Sequence, residues 1–211
     1  YANLEAEYLP EAERVITVSE PLADLLQAEH GLERRPDVVL NGPVTAPRPP
    51  GFTDLRALLG LGRDVPLLVY GGGVNTARGV HTAVEGLVHL EEAQLAVVIN
   101  RHNWVVESLV QRARELGVGD RVHLAPYVAP ELVPHYFATA DVGLSTLMHA
   151  PNHDVAVTNK FCEYLAAGIP VVTSDTPAQA DLVRELDLGA VYPAGDARAF
   201  ADAVRTVLAD R

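Results

Sequence analysis

Two short stretches carry residue types suited to holding a phosphate. Gly71-Gly72-Gly73-Val74-Asn75-Thr76-Ala77-Arg78-Gly79 follows the apolar run PLLVY at 66–70. Glycines let backbone N–H groups come close to an anion, and a helix N-terminus adds partial positive charge. Arg78 falls in the first turn of the helix read over 77–90, where a cation opposes the helix dipole, so a ligand explains it better than the helix does. The plainer reading is a tight strand-to-helix turn with a solvated arginine. The second stretch runs from Val157-Thr158-Asn159-Lys160 to Glu163-Tyr164 and on to Gly168-Ile169-Pro170. Thr158 or Asn159 reads as a helix cap, with Glu163 one turn along and Gly168 and Pro170 as the stop. Lys160 and Glu163 share a face at i, i+3, which taken alone reads equally well as a surface ion pair.

Other phosphate and metal motifs are missing. Gly71-x-Gly73 is followed by Thr76 where a dinucleotide fingerprint needs a third glycine. The strand at 94–99 ends in Asn100-Arg101, without the acid that would hold an NAD ribose. No Gly-Lys-Ser/Thr forms a P-loop and no Asp-x-Asp offers a metal-diphosphate handle, so no metal site is expected. Lys160 is the only lysine among 16 basic residues. Codon bias of a GC-rich genome explains the arginines, and chemistry is the preferred reason for the exception. His149 and His153 lack a third metal partner and read as surface residues.

Those residues need a scaffold. Strands are expected at 66–70, 94–99, 121–124, 141–145, 170–173 and 189–192, with helices at about 77–90, 103–116, 130–139, 159–167, 178–186 and 196–210. The strands do not alternate in polarity, which implies burial on both faces. Strand and helix alternate with short connections, which implies an α/β fold with a doubly wound, parallel, Rossmann-like sheet. Ligands of such sheets bind beyond the carboxyl ends of the strands, where both stretches lie. Before this region, residues 14–18 and 38–40 read as short strands flanking a helix that Ser19 caps. Residues 42–51 are rich in proline and glycine and read as a linker.

Composition narrows the partners. The 211 residues carry 28 acids against 16 bases, a net charge of −12, which disfavours nucleic acid or an anionic membrane as the main partner. Cys162 is the sole cysteine, so a disulfide within the chain is excluded and a reducing compartment fits. No apolar run reaches the ~18 residues of a membrane span. Tyr1 is not an initiator Met, which reads as a cut point in a longer protein.

The second stretch resembles the C-terminal, nucleotide-sugar-binding domain of group 1 glycosyltransferases with the GT-B fold. Their pattern Pro-Asn-Lys-x-x-Glu-Tyr-x-Ala-x-Gly-x-Pro-Val-Val is met from Thr158 to Val172, with Thr158 in place of the proline. The glycine stretch through Arg78-Gly79-Val80, the segment Gly119-Asp120-Arg121-Val122 with His123 to Val128, and Ala140-Asp141-Val142 resemble further family segments. The resemblance covers about residues 60–210, and 13–42 resemble the end of the family's N-terminal domain.

The resemblance implies 1–43 as the tail of the acceptor domain, 44–52 as linker and 53–211 as the donor domain. Arg78 and Lys160 would neutralise the leaving diphosphate as catalytic groups. Gly72, Gly73 and the Asn159 helix start would lie against the phosphates, Glu163 would hold the ribose hydroxyls, and Val128 and Asn100 would meet the base and line the cleft. No cofactor or metal is implied, only the nucleotide-diphosphate sugar, with the acceptor reached through the missing domain. The implied activity is retaining transfer of a hexose to a glycan or lipid-linked glycan in the cytoplasm, peripheral to the membrane if that domain attaches there. The isolated chain would bind donor and transfer nothing. A non-catalytic nucleotide-sugar-binding module and a sugar-nucleotide epimerase of the same fold are the alternatives. One departure is notable: Val155 stands eight positions before Glu163, where the family often has a first glutamate that Asp154 or His153 would have to replace.

Overall fold

The computed structural model describes residues 2–210. The chain opens with α1 (Ala2–Tyr8), β1 (Ile16–Thr17), α2 (Glu20–His30) and β2 (Asp37–Val38). β1 and β2 pair in parallel, Ile16 opposite Asp37. Ser19 caps α2 by accepting the Leu22 N–H, and Gly31 closes it in the left-handed conformation. The Ser19 hydroxyl also donates to the Val155 carbonyl, which fastens this unit to the rest of the chain. Residues 43–54 form no helix or strand, and the Ala46 N–H donates to the Glu131 carbonyl at 3.1 Å.

From α3 (Leu55–Leu58) onward, strand and helix alternate. The elements are β3 (Leu67–Gly71), α4 (Val80–Gly86), β4 (Gln94–Ile99), α5 (Trp104–Glu115), β5 (Val122–Pro126), α6 (Val133–Phe137), β6 (Val142–Ser145), α7 (Pro151–Asp154), α8 (Asn159–Ala166), β7 (Val171–Ser174), α9 (Pro177–Leu186), β8 (Gly189–Tyr192) and α10 (Ala197–Ala209). The strands lie side by side in the order β5-β4-β3-β6-β7-β8, every neighbour parallel. This is the expected doubly wound parallel sheet, and all six expected strands appear within a residue or two of their predicted bounds.

Burial on both faces explains the unbroken apolar strands: all five residues of β3 are buried. Leu68, Tyr70, Leu95 and Val97 pack with α4, α5 and α10 through Val84, Leu109 and Phe200. Leu67, Val69, Ala96 and Val98 pack on the other face with α6 and α8 through Tyr136, Phe137, Phe161 and Tyr164. Chain order reverses at β3, whose neighbours β4 and β6 carry their following helices α5 and α8 on opposite faces. A crevice opens at such a reversal, beyond the carboxyl ends of the strands.

At the other end of the sheet Arg56 and Asp141 form a buried ion pair at 2.8 Å. Arg56 also donates to the carbonyls of Thr139, Gly62 and Val65, and Asp141 accepts the Leu67 N–H at 2.7 Å. These bonds compensate the desolvation of both charges, so the pair locks the start of β3 to the start of β6.

The helix expected over 77–90 is broken. Thr76–Arg78 forms a 3-10 turn, Gly79 takes the left-handed conformation, α4 spans Val80–Gly86, and Leu87–His89 is again 3-10. Arg78 therefore closes a turn ahead of the helix and does not sit in its first turn. Among the described residues no helix is long and apolar enough to cross a membrane.

Candidate active site

The glycine loop is held from below and open above. The Gly71 N–H donates to the Tyr164 hydroxyl at 3.0 Å, which donates to the Leu144 carbonyl at 3.1 Å. The Gly72 N–H donates to the Val98 carbonyl at 2.9 Å. Gly72 has φ +114°, which favours glycine. The Tyr70 hydroxyl donates to the Gly73 carbonyl at 2.8 Å, while a Cβ placed on Gly73 would meet nothing within 4 Å. Rigid backbone thus faces free space, the geometry a phosphate needs.

Lys160 reaches this loop from the first turn of α8. Its side chain is 8% exposed, its Cε lies 4.0 Å from where a Gly72 Cβ would be, and its Nζ sits 3.9 Å from the Tyr70 ring centroid. The ring face gives a partial counter-charge. Yet Nζ is buried with no hydrogen-bond partner among the described residues. Burial, reinforced by the positive charge of Arg78, pushes Lys160 well below the ordinary lysine range, and Glu163 pulls weakly the other way. The alternative reading as an i, i+3 ion pair is not met, since Lys160 Nζ makes no hydrogen bond to Glu163. Burial instead raises Glu163 above the usual carboxylate range.

Arg78 is half-buried, and its charge is felt at both Tyr70 and Lys160. Asn75 Oδ1 accepts the Arg78 N–H at 3.0 Å, and the Thr146 hydroxyl donates to the Arg78 carbonyl at 2.7 Å. Gly79 is pressed against the loop after β6: a Cβ there would collide with the Thr146 carbonyl oxygen and crowd Met148 Sδ. The Met148 N–H donates to the Ala77 carbonyl at 2.9 Å. These contacts fix the Arg78 turn against the end of β6.

Neither Thr158 nor Asn159 caps α8 through its side chain, contrary to the sequence expectation. Thr158 occupies the N-cap position, but its hydroxyl donates to Gln179 at 3.0 Å. Asn159 is exposed, and among the described residues the amides of Asn159 and Lys160 meet no acceptor. The N-terminus of α8 is thus left open beside the Lys160 ammonium.

The other expected residues spread along the same carboxyl edge. Tyr127 follows β5 and feels the charge of Glu163, which brings the end of β5 near α8. Val128 is half-buried against the core on the α6 and α8 face. Asn100 ends β4, exposed and without a hydrogen bond among the described residues.

Val155 is half-buried, its carbonyl accepting from the Ser19 hydroxyl and its N–H turned to the His153 carbonyl. Asp154 is tied to His149 Nδ1 at 2.8 Å, and His149 Nε2 lies 3.0 Å from Asp175, so the Asp154 carboxylate is already engaged. The two acids raise His149 above the ordinary histidine range. His153 departs from the surface reading: it is buried, with Nδ1 2.8 Å from the Met148 carbonyl. Among the described residues no group of three or more His, Cys, Asp or Glu could hold a metal ion.

Sequence reasoning missed Tyr70, Thr146 and Gln179. Tyr70 reads only as a strand residue, and nothing local reveals that Thr146 and Gln179 meet partners 68 and 21 residues away.

Residues 65–210 match the family described as "Glycosyl transferases group 1". A D-inositol 3-phosphate glycosyltransferase of Xylanimonas cellulosilytica is 30% identical over 161 residues, covering 75% of this chain and 37% of that protein. The chain spans 37–48% of the length of the curated relatives it matches. Sucrose-phosphate synthase from Thermosynechococcus elongatus superposes with TM-score 0.75 at 24% identity, over 99% of this chain and 52% of that one. Anabaena Alr3699/HepE, solved in complex with UDP and glucose, superposes with TM-score 0.76 at 19% identity, over 99% and 57%. The structural likenesses carry the fold and the sequence match carries the family: this chain belongs to the group 1 glycosyltransferases.

Proposed function

We propose that the chain is the donor-binding half of a retaining glycosyltransferase that moves a sugar from a nucleoside diphosphate to a glycan or lipid-linked glycan. The observation that carries this is Lys160, a buried ammonium without an acceptor beside an open helix start and an open glycine loop. Keeping that amine charged without an acceptor would cost several kcal/mol, and a diphosphate is the ligand whose charge and size stabilise its protonated form. In the transfer step the bond between the sugar C1 and the diphosphate oxygen breaks with its electron pair staying on that oxygen, while C1 bonds the acceptor hydroxyl oxygen on the same face and the hydroxyl proton passes to the departing diphosphate. Lys160, Arg78 and the α8 amides stabilise the charge that develops there, without a metal. Gly72 and Gly73 carry the phosphates, Glu163 accepts from the ribose hydroxyls, the Tyr127–Val128 backbone meets the base, and Asn100 lines the same cleft. Residues 1–43 belong to the acceptor half, with 44–52 as linker. UDP, which HepE binds, is the first nucleotide to try.

Calorimetric titration of UDP into the wild type, Lys160→Met and Glu163→Ala tests the reading. A charge-assisted hydrogen bond is worth roughly 1.5–3 kcal/mol, so each variant loses about ten- to a hundredfold in affinity, with the melting temperature of Glu163→Ala unchanged and that of Lys160→Met no lower than wild type. EDTA leaves the wild-type affinity unchanged. Equal affinity of wild type and Glu163→Ala would remove Glu163 from the ribose site. Loss of binding in EDTA with recovery in Mg²⁺ would overturn the metal-free mechanism. One observation favours a second reading, a binding module without transfer: Val155 replaces the first glutamate and Asp154 is already engaged by His149. Release of UDP from UDP-sugar by the full-length protein excludes that module.

A further inference from the structure

We infer that Gln179 is a positioning residue for the diphosphate: it holds the Thr158 hydroxyl off the start of α8 and so keeps the Lys160 amide open to the ligand. The inference rests on the donor-binding reading above. Thr158 has extended backbone angles, φ −81° and ψ 151°, as an N-cap residue should. A threonine there ordinarily turns its oxygen onto the N–H of the second or third helical residue. Ser19, Asn103 and Asp196 do this for α2, α5 and α10. Thr158 does not. Its Oγ1 donates to Gln179 Oε1 at 3.0 Å, an acceptor shared with Ser145 Oγ at 3.1 Å. Gln179 Nε2 is anchored in turn on Thr176 Oγ1 at 3.4 Å.

Gln179, Ser145 and Thr176 are each fully buried, so the amide has no route to solvent and its hydrogen bonds are costly to break. The network joins the end of β6, the start of α8 and the start of α9, three elements that converge at the crevice. Of the two amides a capping Thr158 could take, that of Phe161 already donates to the Thr158 carbonyl at 3.0 Å, which leaves that of Lys160, whose Nζ is buried and unpartnered. A phosphate arriving there receives backbone N–H groups and an ammonium from one residue. The family pattern has proline at this place, which has no hydroxyl to compete. With threonine present, the acceptor on Gln179 removes that competition.

The test uses Gln179→Leu, Thr158→Val and their double variant, with two readouts. In the ligand-free protein, NMR hydrogen exchange at the Lys160 amide slows about three- to tenfold in Gln179→Leu, where the released hydroxyl caps α8. It returns to the wild-type rate in the double variant. In titrations with inorganic pyrophosphate and with UDP, Gln179→Leu loses about three- to tenfold in affinity, Thr158→Val changes by less than about twofold, and the double variant recovers to within about twofold of wild type. A purely structural Gln179 predicts a double variant no better than Gln179→Leu. That result, or unchanged Lys160 exchange in Gln179→Leu, overturns the inference. Gln179→Asn, too short to reach Thr158, carries the same test should Gln179→Leu not fold. Wild-type protein that binds neither pyrophosphate nor UDP overturns the donor reading and the ligand named here, while the exchange arm, which needs no ligand, reads the hold on Thr158 separately.

Discussion

A lysine kept dry without an acceptor favours its neutral form, and a phosphate reverses that preference. Burial and Arg78 hold the free Lys160 well below the usual range. A bound diphosphate stabilises the ammonium and raises its pKa again. Binding therefore takes up a proton wherever the pH lies between the lowered free value and the raised bound one. Affinity falls as pH climbs through the free-state value, because the protonated form must then be regenerated at a cost. UDP titrations in buffers of different ionisation enthalpy read this uptake directly. Uptake in the wild type that vanishes in Lys160→Met is the expected result, and a binding enthalpy independent of buffer at every pH of the series contradicts it. At this scale the sequence is partly legible. Lys160 stands out as the sole lysine and sits at a recognisable helix start. That it is buried and free of Glu163 depends on Tyr70 and Gly72, brought together by the pairing of separate segments.

Gly79 shows how one element is set by another. It takes φ +63° between the Arg78 turn and α4, and its Cα faces the Thr146 carbonyl. A left-handed conformation costs an L-residue about 1–2 kcal/mol, and an added Cβ also meets backbone that cannot swing aside. Gly79→Ala is expected to destabilise the fold by roughly 2 kcal/mol or more. The same change displaces the turn that carries Arg78, so UDP affinity drops along with the urea midpoint. An unchanged midpoint would mean that the loop after β6 is free to move. The strands are legible because burial on both faces leaves unbroken apolar runs such as PLLVY and QLAVVI. The broken helix over 77–90 is not, because Gly79 looks like a tolerated helix interior residue until Thr146, far along the chain, is set against it. The uncapped α8 is hidden for the same reason: Thr158 has the type of a cap, and only the fold supplies the competing Gln179.

At the scale of the molecule, the reversal of strand order at β3 brings the glycine loop, the end of β6 and the start of α8 to one crevice. Alternating strands and helices make that architecture readable before any coordinates, and the same rule points to the carboxyl edge as the place for a ligand. The arrangement of β1, α2 and β2 against it is less readable, since it hangs on contacts such as Ser19 to Val155 that link residues 136 apart. The net charge of −12 makes the Arg78–Lys160 crevice a local exception, one that draws a polyanion to a single place. The most direct test is a crystal structure of the chain with UDP. The diphosphate is expected between Gly72–Gly73 and the first turn of α8, with oxygens within hydrogen-bond reach of Lys160 Nζ and the ribose on Glu163. UDP bound elsewhere, or bound in the crevice with Lys160 Nζ still unpartnered, would contradict it.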